Sequence, residues 1–296
     1  MKRFLTLALA VASVGFIAVG TASAVDSYIA GDAANGIGNS RHNLGNLGEH
    51  IRTNSTSEIC VFCHTPHHTN TANGLKPLWN RGAVGTYTAY GTTLGGTTIA
   101  NADIGSTSLA CLSCHDGITT FDNIVNAPGK GLVTNGGADR GWSFNDLGAV
   151  VSDFMTSSRL NIGQNLSNDH PVSVAYNATV AGLRPTNTTI SAIDLTAELA
   201  TSAATFDNAN LMSNLWAVGG YVSDSATIAD LLRGPNSDRV ECSSCHDPHF
   251  NNKSWNEIDA TYSAVPADQE PENNGLFLRR VGGNSGSGLC RTCHNK

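Results

Sequence analysis

The sequence predicts a fold of loops, short α-helices and few short strands, wrapped around four large apolar bodies that are not side chains. Three observations predict it. Helical and strand periodicities are weak and short along 296 residues that include 31 glycines. Charged residues make up only 14% of the chain, against about 25% in ordinary soluble domains. Finally, all eight cysteines are used by four copies of one motif: Cys60-Val61-Phe62-Cys63-His64, Cys111-Leu112-Ser113-Cys114-His115, Cys242-Ser243-Ser244-Cys245-His246 and Cys290-Arg291-Thr292-Cys293-His294.

C-x-x-C-H is the attachment signature of a c-type haem. The two thiols add to the porphyrin vinyl groups, and the adjoining histidine takes one axial position on the iron. Two cysteines three apart lie along one edge of the ring while the histidine turns beneath the metal. A zinc site of paired C-x-x-C does not need histidine at the fifth place in every copy, and disulfides do not need it at all. The motifs therefore imply a tetrahaem cytochrome c with four haem c groups and their iron. Four haems are apolar bodies in their own right, so the chain around them needs less regular structure than an ordinary core does.

In chain order, residues 1–24 read as an export signal. Lys2 and Arg3 form its charged start, Phe4 to Gly20 its apolar run and Ala22-Ser23-Ala24 a small-residue cleavage site. A membrane anchor would need about 20 apolar residues and would lack the cleavage pattern. Residues 25–296 then form a single tetrahaem domain. Residues 25–59 are glycine- and asparagine-rich coil containing His42 and His50. The motifs at 60–64 and 111–115 flank a glycine- and threonine-rich stretch around Gly91 to Thr98. The segment 116–241 carries no haem motif. In it Ile190 to Leu199, Asn210 to Trp216 and Ser225 to Arg233 are expected as short helices, the last closed by Gly234-Pro235. The motifs at 242–246 and 290–294 complete the chain.

The four motif histidines, His64, His115, His246 and His294, are the proximal ligands, which leaves each iron one axial position to fill. Ten histidines minus these four leaves His42, His50, His67, His68, His170 and His249. The methionines after residue 24 are Met155 and Met212 alone. His67 and His249 share one local device, His64-Thr65-Pro66-His67 and His246-Asp247-Pro248-His249. The proline forces the chain out of helix just past the proximal ligand. A histidine three places on cannot pass around its own porphyrin, so it is offered to a neighbouring haem. With His170, in Asn168-Asp169-His170-Pro171, and His42, these form the expected distal set: His42, His67, His170 and His249. His50 and His68 are the alternatives.

The formal net charge is −7. Loss of Lys2 and Arg3 with the signal leaves 15 cations against 24 acids, or −9, before any propionate is counted. That balance argues against a nucleic-acid partner, and a surface so poor in charge does little to resist self-association. No motif has its proximal histidine replaced, so nothing marks one haem as a catalytic centre with an open iron and nearby acid–base groups. Asn54-Ser55-Thr56, Asn177-Ala178-Thr179 and Asn187-Thr188-Thr189 fit the glycosylation triplet, a pattern that arises readily by chance in a threonine-rich chain.

Several pieces together, in order, resemble one family. They are Arg41-His42-Asn43-Leu44, Ile59 to His67, Pro77-Leu78-Trp79-Asn80-Arg81, Cys111 to Gly117, Asn168-Asp169-His170-Pro171-Val172, Cys242 to His249 and Leu289 to His294. The chain resembles the exported multihaem cytochromes of metal-reducing bacteria, and in haem number and length the filament-forming tetrahaem cytochromes of the OmcE type. The resemblance implies bis-histidine iron throughout and head-to-tail copies of the same chain, one axial histidine being donated between subunits. His42, on an extended N-terminal arm, is then the natural donor, with His50 the alternative. It also implies redox partner cytochromes and extracellular electron acceptors, with the protein at the cell surface or outside the cell. A periplasmic shuttle with the same four haems and a multihaem reductase are the competing expectations. Arg81, Arg279 and Arg280 are placed to pair with haem propionates.

Overall fold

A computed structural model of the chain describes residues 37–48, 50–66, 78–82, 85–128, 131–132, 140–157, 160–195, 214–219, 221–249, 277–280, 284 and 287–295. The expected export signal at 1–24, His67, His68 and Met212 lie outside these residues. Among the described residues no helix is long and apolar enough to cross a membrane.

Regular structure is sparse and gathers at the motifs. Three helices are described: α1, Ser106–His115; α2, Cys242–Cys245; and α3, Gly288–Cys293. The first motif forms a single 3-10 turn, Cys60–Phe62. Helix α1 is the longest because Leu109, Ala110 and Leu112 favour it and no proline interrupts it. Asp116 caps its C-terminal end. Gly117 follows at φ +75°, the left-handed conformation that glycine adopts most easily after a helix. Pro66 and Pro248, two residues past their motif histidines, stop the other turns early.

The strands are two or three residues long and antiparallel. Phe144–Asp146 pairs with both Arg52–Thr53 and Ala149–Val151. The turn Leu147-Gly148 has φ of +48° and +91°, as a tight two-residue hairpin requires. Val174–Ala175 pairs with Arg239–Val240, which carries the middle segment back to the start of α2.

Two expected helices are corrected. Asn210 to Trp216 is not helical where it is described: Trp216–Val218 is a strand paired with Tyr221–Ser223. Trp, Val and Tyr suit a pleated surface. Ser225 to Arg233 shortens to the 3-10 turn Ile228–Leu231. There Asp230 Oδ2 accepts from both the N–H and the hydroxyl of Thr227, at 2.8 Å each. Ile190 to Leu199 begins with the 3-10 turn Ile190–Ala192, and its end lies beyond the described residues.

Among the described residues, buried apolar side chains form three clusters, each bordering a motif. Phe62, of the first motif, packs with Phe121, Ile124, Trp142, Phe144 and Met155, and Cys63 and Cys114 border the group. Leu112, of the second, packs with Tyr87, Ile99, Ile104 and Leu166. Leu289 and Cys293, of the fourth, border Ile190, Trp216, Ala226, Ile228 and Leu231. Phe62 and Leu112, each between the two cysteines of its motif, thus anchor their attachment turns to a core, and Leu289, just before Cys290, does so in the fourth motif.

Candidate metal centres

Each motif is held as one helical turn. The histidine N–H donates to the carbonyl of the first cysteine at 2.7 Å in the first motif, 3.0 Å in the third and 2.9 Å in the fourth. In the second motif the same residues close α1. This turn sets the two thiols on one side with the histidine below them.

A distant strand then clips three of the four turns in the same way. Thr65 N–H donates to Leu78 O at 2.9 Å and Asn80 N–H to Cys63 O at 2.8 Å. Asp247 N–H donates to Phe277 O, and Arg279 N–H to Cys245 O, both at 2.8 Å. Asn295 N–H donates to Gly182 O at 2.8 Å and Arg184 N–H to Cys293 O at 3.0 Å. The residue opening each clip has a left-handed backbone: Leu78, Phe277 and Gly182, with φ of +50°, +56° and +88°. The residue closing it adds a side-chain bond to the carbonyl after the first cysteine. Asn80 Nδ2 donates to Val61 O at 2.6 Å, Arg279 Nε to Ser243 O at 2.8 Å and Arg184 Nε to Arg291 O at 3.2 Å. Sequence reasoning missed these residues. The one available signal was the likeness of Leu78-Trp79-Asn80-Arg81 to Phe277-Leu278-Arg279-Arg280.

The second motif is fixed differently. Ile162 N–H donates to His115 O at 2.8 Å. Arg81, fully buried, donates to the carbonyls of Phe121, Ser113 and Thr120. Arg279 donates to Ser243 and Ala217 carbonyls and pairs with Asp247, and Arg280 Nε donates to Asn214 Oδ1 at 3.0 Å. The donors of these arginines named here go to protein groups.

The histidines meet in twos. His42 and His115 have ring centres 6.3 Å apart at an interplanar angle of 77°. His64 and His249 are 6.1 Å apart at 16°. Two imidazoles bonded to one metal at about 2.0 Å, each with its ring centre about 1.1 Å beyond the nitrogen, place their centres about 6.2 Å apart. Both pairs match that span, and each joins a motif histidine to one outside any motif. Among the described residues no three His, Cys, Asp or Glu side chains converge as on a bare metal ion. Pairs suit a porphyrin, which supplies the equatorial donors itself. The motif turns and these pairs therefore fit haem c: Cys60, Cys63, Cys111 and Cys114 would hold two such groups, with His64, His249, His115 and His42 as axial ligands. Cys242, Cys245, Cys290 and Cys293, with His246 and His294, offer the same turn for two more.

Nδ1 contacts orient three of these rings. His115 Nδ1 donates to Leu160 O at 2.8 Å, which leaves Nε2 as the free lone pair. His249 Nδ1 lies 3.3 Å from Asp247 Oδ1, and His42 Nδ1 lies 3.5 Å from Pro248 O. Burial, helped by neighbouring His115, lowers His42 to about 4, so its imidazole is neutral as a metal requires. Phe277 stacks on it at 4.2 Å. His42 therefore lies beside a motif histidine of its own chain. His170 is exposed, with Nδ1 3.0 Å from Pro171 O, and His50 is half-buried. Met155 is buried in the first apolar cluster, away from the ligand role.

The thiols link the motifs. Cys111 and Cys242 are hydrogen-bonded, which raises the first thiol and lowers the second. Cys63 is pushed up to about 12 by burial and by nearby Cys114, and Cys245 to about 12 by burial and by Cys293. Glu241 lies at the junction of α1 and α2, almost fully buried. Its Oε2 accepts from Ser108 and Ser173 hydroxyls, and burial raises its carboxyl. A cavity of about 540 Å³ beside the three-stranded sheet, lined by Arg52, Ser143 and Asn145 among others, includes no motif residue. No protein-family model and no curated protein matches this chain.

Proposed function

We propose that this chain is an exported tetrahaem cytochrome c that transfers electrons, as a subunit of an extracellular cytochrome filament. The observation that carries the electron-transfer reading is the spacing of the two histidine pairs, 6.3 and 6.1 Å, each beside a C-x-x-C-H turn. When bound, haem c supplies a one-electron iron couple at each turn. The protein's part is to close both axial faces, so that small molecules are kept from the metal. With haem bound, His64 and His249 would close one pair of faces, and His115 and His42 the other. By the repeat of Thr65-Pro66-His67 and Asp247-Pro248-His249, His67 would be offered to the third motif, and His170 would remain for the fourth, with His68 and His50 in reserve.

The motifs neighbour one another through the protein. Cys63 and Cys114 border one apolar cluster, the Ser108 hydroxyl of α1 donates to Glu241 just before α2, and Trp216, in the cluster that Cys293 borders, pairs with Arg280 beside the clip on the third motif. His249 also returns the third motif to the first. Each motif thus lies near another with which its haem would exchange electrons.

The test is carbon monoxide binding by the reduced protein. Wild type is expected to bind none, and His42→Ala to bind about one equivalent per chain. Binding by wild type, or none by the variant, contradicts the pairing. The placement of His42 within its own chain favours one second reading, a self-contained periplasmic shuttle. A polymer joined by a donated ligand would then draw on His50.

A further inference from the structure

Asp247 follows the proximal histidine of the third motif, yet the ring it touches faces the first. Its Oδ1 lies 3.3 Å from His249 Nδ1 and accepts the His249 backbone N–H at 3.0 Å. His249 in turn stands 6.1 Å from His64. Arg279 Nη1 lies 2.9 Å from Asp247 Oδ2, with the side chains of Arg279 and Asp247 only 9% and 13% exposed. Arg279 is itself immobilised, because its backbone N–H clips Cys245 and its Nε and Nη1 donate to Ser243 and Ala217 carbonyls. The carboxylate therefore has a fixed cation on one oxygen and an imidazole N–H on the other.

We propose that Asp247 is a positioning residue of the third motif that sets the redox potential of the iron held at the first motif. This rests on the haem reading above. A carboxylate accepting the Nδ1 proton fixes the tautomer, leaves Nε2 for the metal and makes the ring a stronger electron donor. A stronger axial donor favours ferric over ferrous iron and lowers the potential. Through Arg279, the backbone turn of one centre is thereby coupled to the distal ligand of another. Cys60-Val61-Phe62-Cys63-His64 contributes no such carboxylate, and Thr65 stands where the third motif has Asp247.

The test is potentiometric titration of the haem-loaded protein, wild type against Asp247→Asn and Asp247→Glu. Asparagine keeps the size and an acceptor but removes the charge. One of the four components is expected to move upward in potential by about 59 mV, a tenfold fall in its oxidised-to-reduced ratio at a fixed applied potential for a one-electron couple, while the other three stay in place. Glutamate should restore part of the shift. Four unmoved components in Asp247→Asn overturn the proposal while leaving the haem reading intact. A wild type with no covalent haem instead removes the reading beneath it. Should Asp247→Asn load fewer than four haems, nitrogen NMR of His249 in the reduced wild type decides. A hydrogen-bonded Nδ1–H supports the proposal, and a freely exchanging one overturns it.

Discussion

At the residue scale the two histidine pairs differ in one measurable way. His64 and His249 are nearly parallel at 16°, whereas His42 and His115 are nearly perpendicular at 77°. Axial ring planes set the splitting of the iron d orbitals, so parallel rings give the ordinary rhombic low-spin signal and perpendicular rings a strongly anisotropic one. The ferric protein is expected to show both in electron paramagnetic resonance, and His42→Ala should remove the anisotropic component that belongs to the second motif. Glu241 gives a second prediction. Its folded pKa is raised by burial, although the Ser108 and Ser173 hydroxyls oppose the rise. A raised group contributes stability that is fully present below its unfolded value, about 4.3, and is lost as pH rises through the folded one. The stability difference between wild type and Glu241→Gln should therefore move against wild type as pH is raised from about 4 toward neutrality. Chemical denaturation at a series of pH values measures it, and a difference that does not change with pH would remove the proton-linked role.

At the element scale the decisive unit is the clipped turn. Asn80 is fully buried, and its amide donates to Val61 and Asn126 carbonyls and accepts the Asn126 N–H. Asn80→Ala strands those partners and is expected to cost about 3 kcal/mol. Gly182 opens the clip on the fourth motif at φ +88°, so Gly182→Ala should cost about 1–2 kcal/mol through backbone strain. Thermal unfolding of the two variants checks both, and unchanged midpoints would show that the clips are incidental. The sequence made the turns themselves legible, because C-x-x-C-H needs one helical turn and Pro66 and Pro248 end it. It also showed that His249 would be offered away from its own motif. It did not show the clips, which join Leu78, Gly182 and Phe277 to turns up to about a hundred residues away and leave only a faint local pattern. Nor did it show the pairing of Trp216–Val218 with Tyr221–Ser223, because a short apolar run fits helical spacing as well. His42 lies in sequence that looks like coil, and its contact with His115 comes from packing that no spacing reveals.

At the scale of the whole molecule, the described residues form three small apolar clusters, each tied to an attachment turn. If the proposed haems are bound, such a chain is expected to depend on them for folding, much as small metal-bound domains do. Replacing Cys111 and Cys114 by alanine should leave a protein with three haems that is cleaved faster by protease around Tyr87 to Leu166, where the second cluster sits. Equal resistance would show that the protein side chains suffice. The proposed filament is tested on the secreted protein by electron microscopy, with His50→Ala as the informative variant. Filaments lost in that variant support a donated ligand, and single particles in the wild type favour the shuttle.

The covalent haem count of the exported protein tests the central claim most directly. After denaturation and extraction of free haem, alkaline pyridine spectra should show four haems per chain, bound through the eight motif cysteines. No retained haem, or cysteines that instead hold zinc or disulfides, would contradict it.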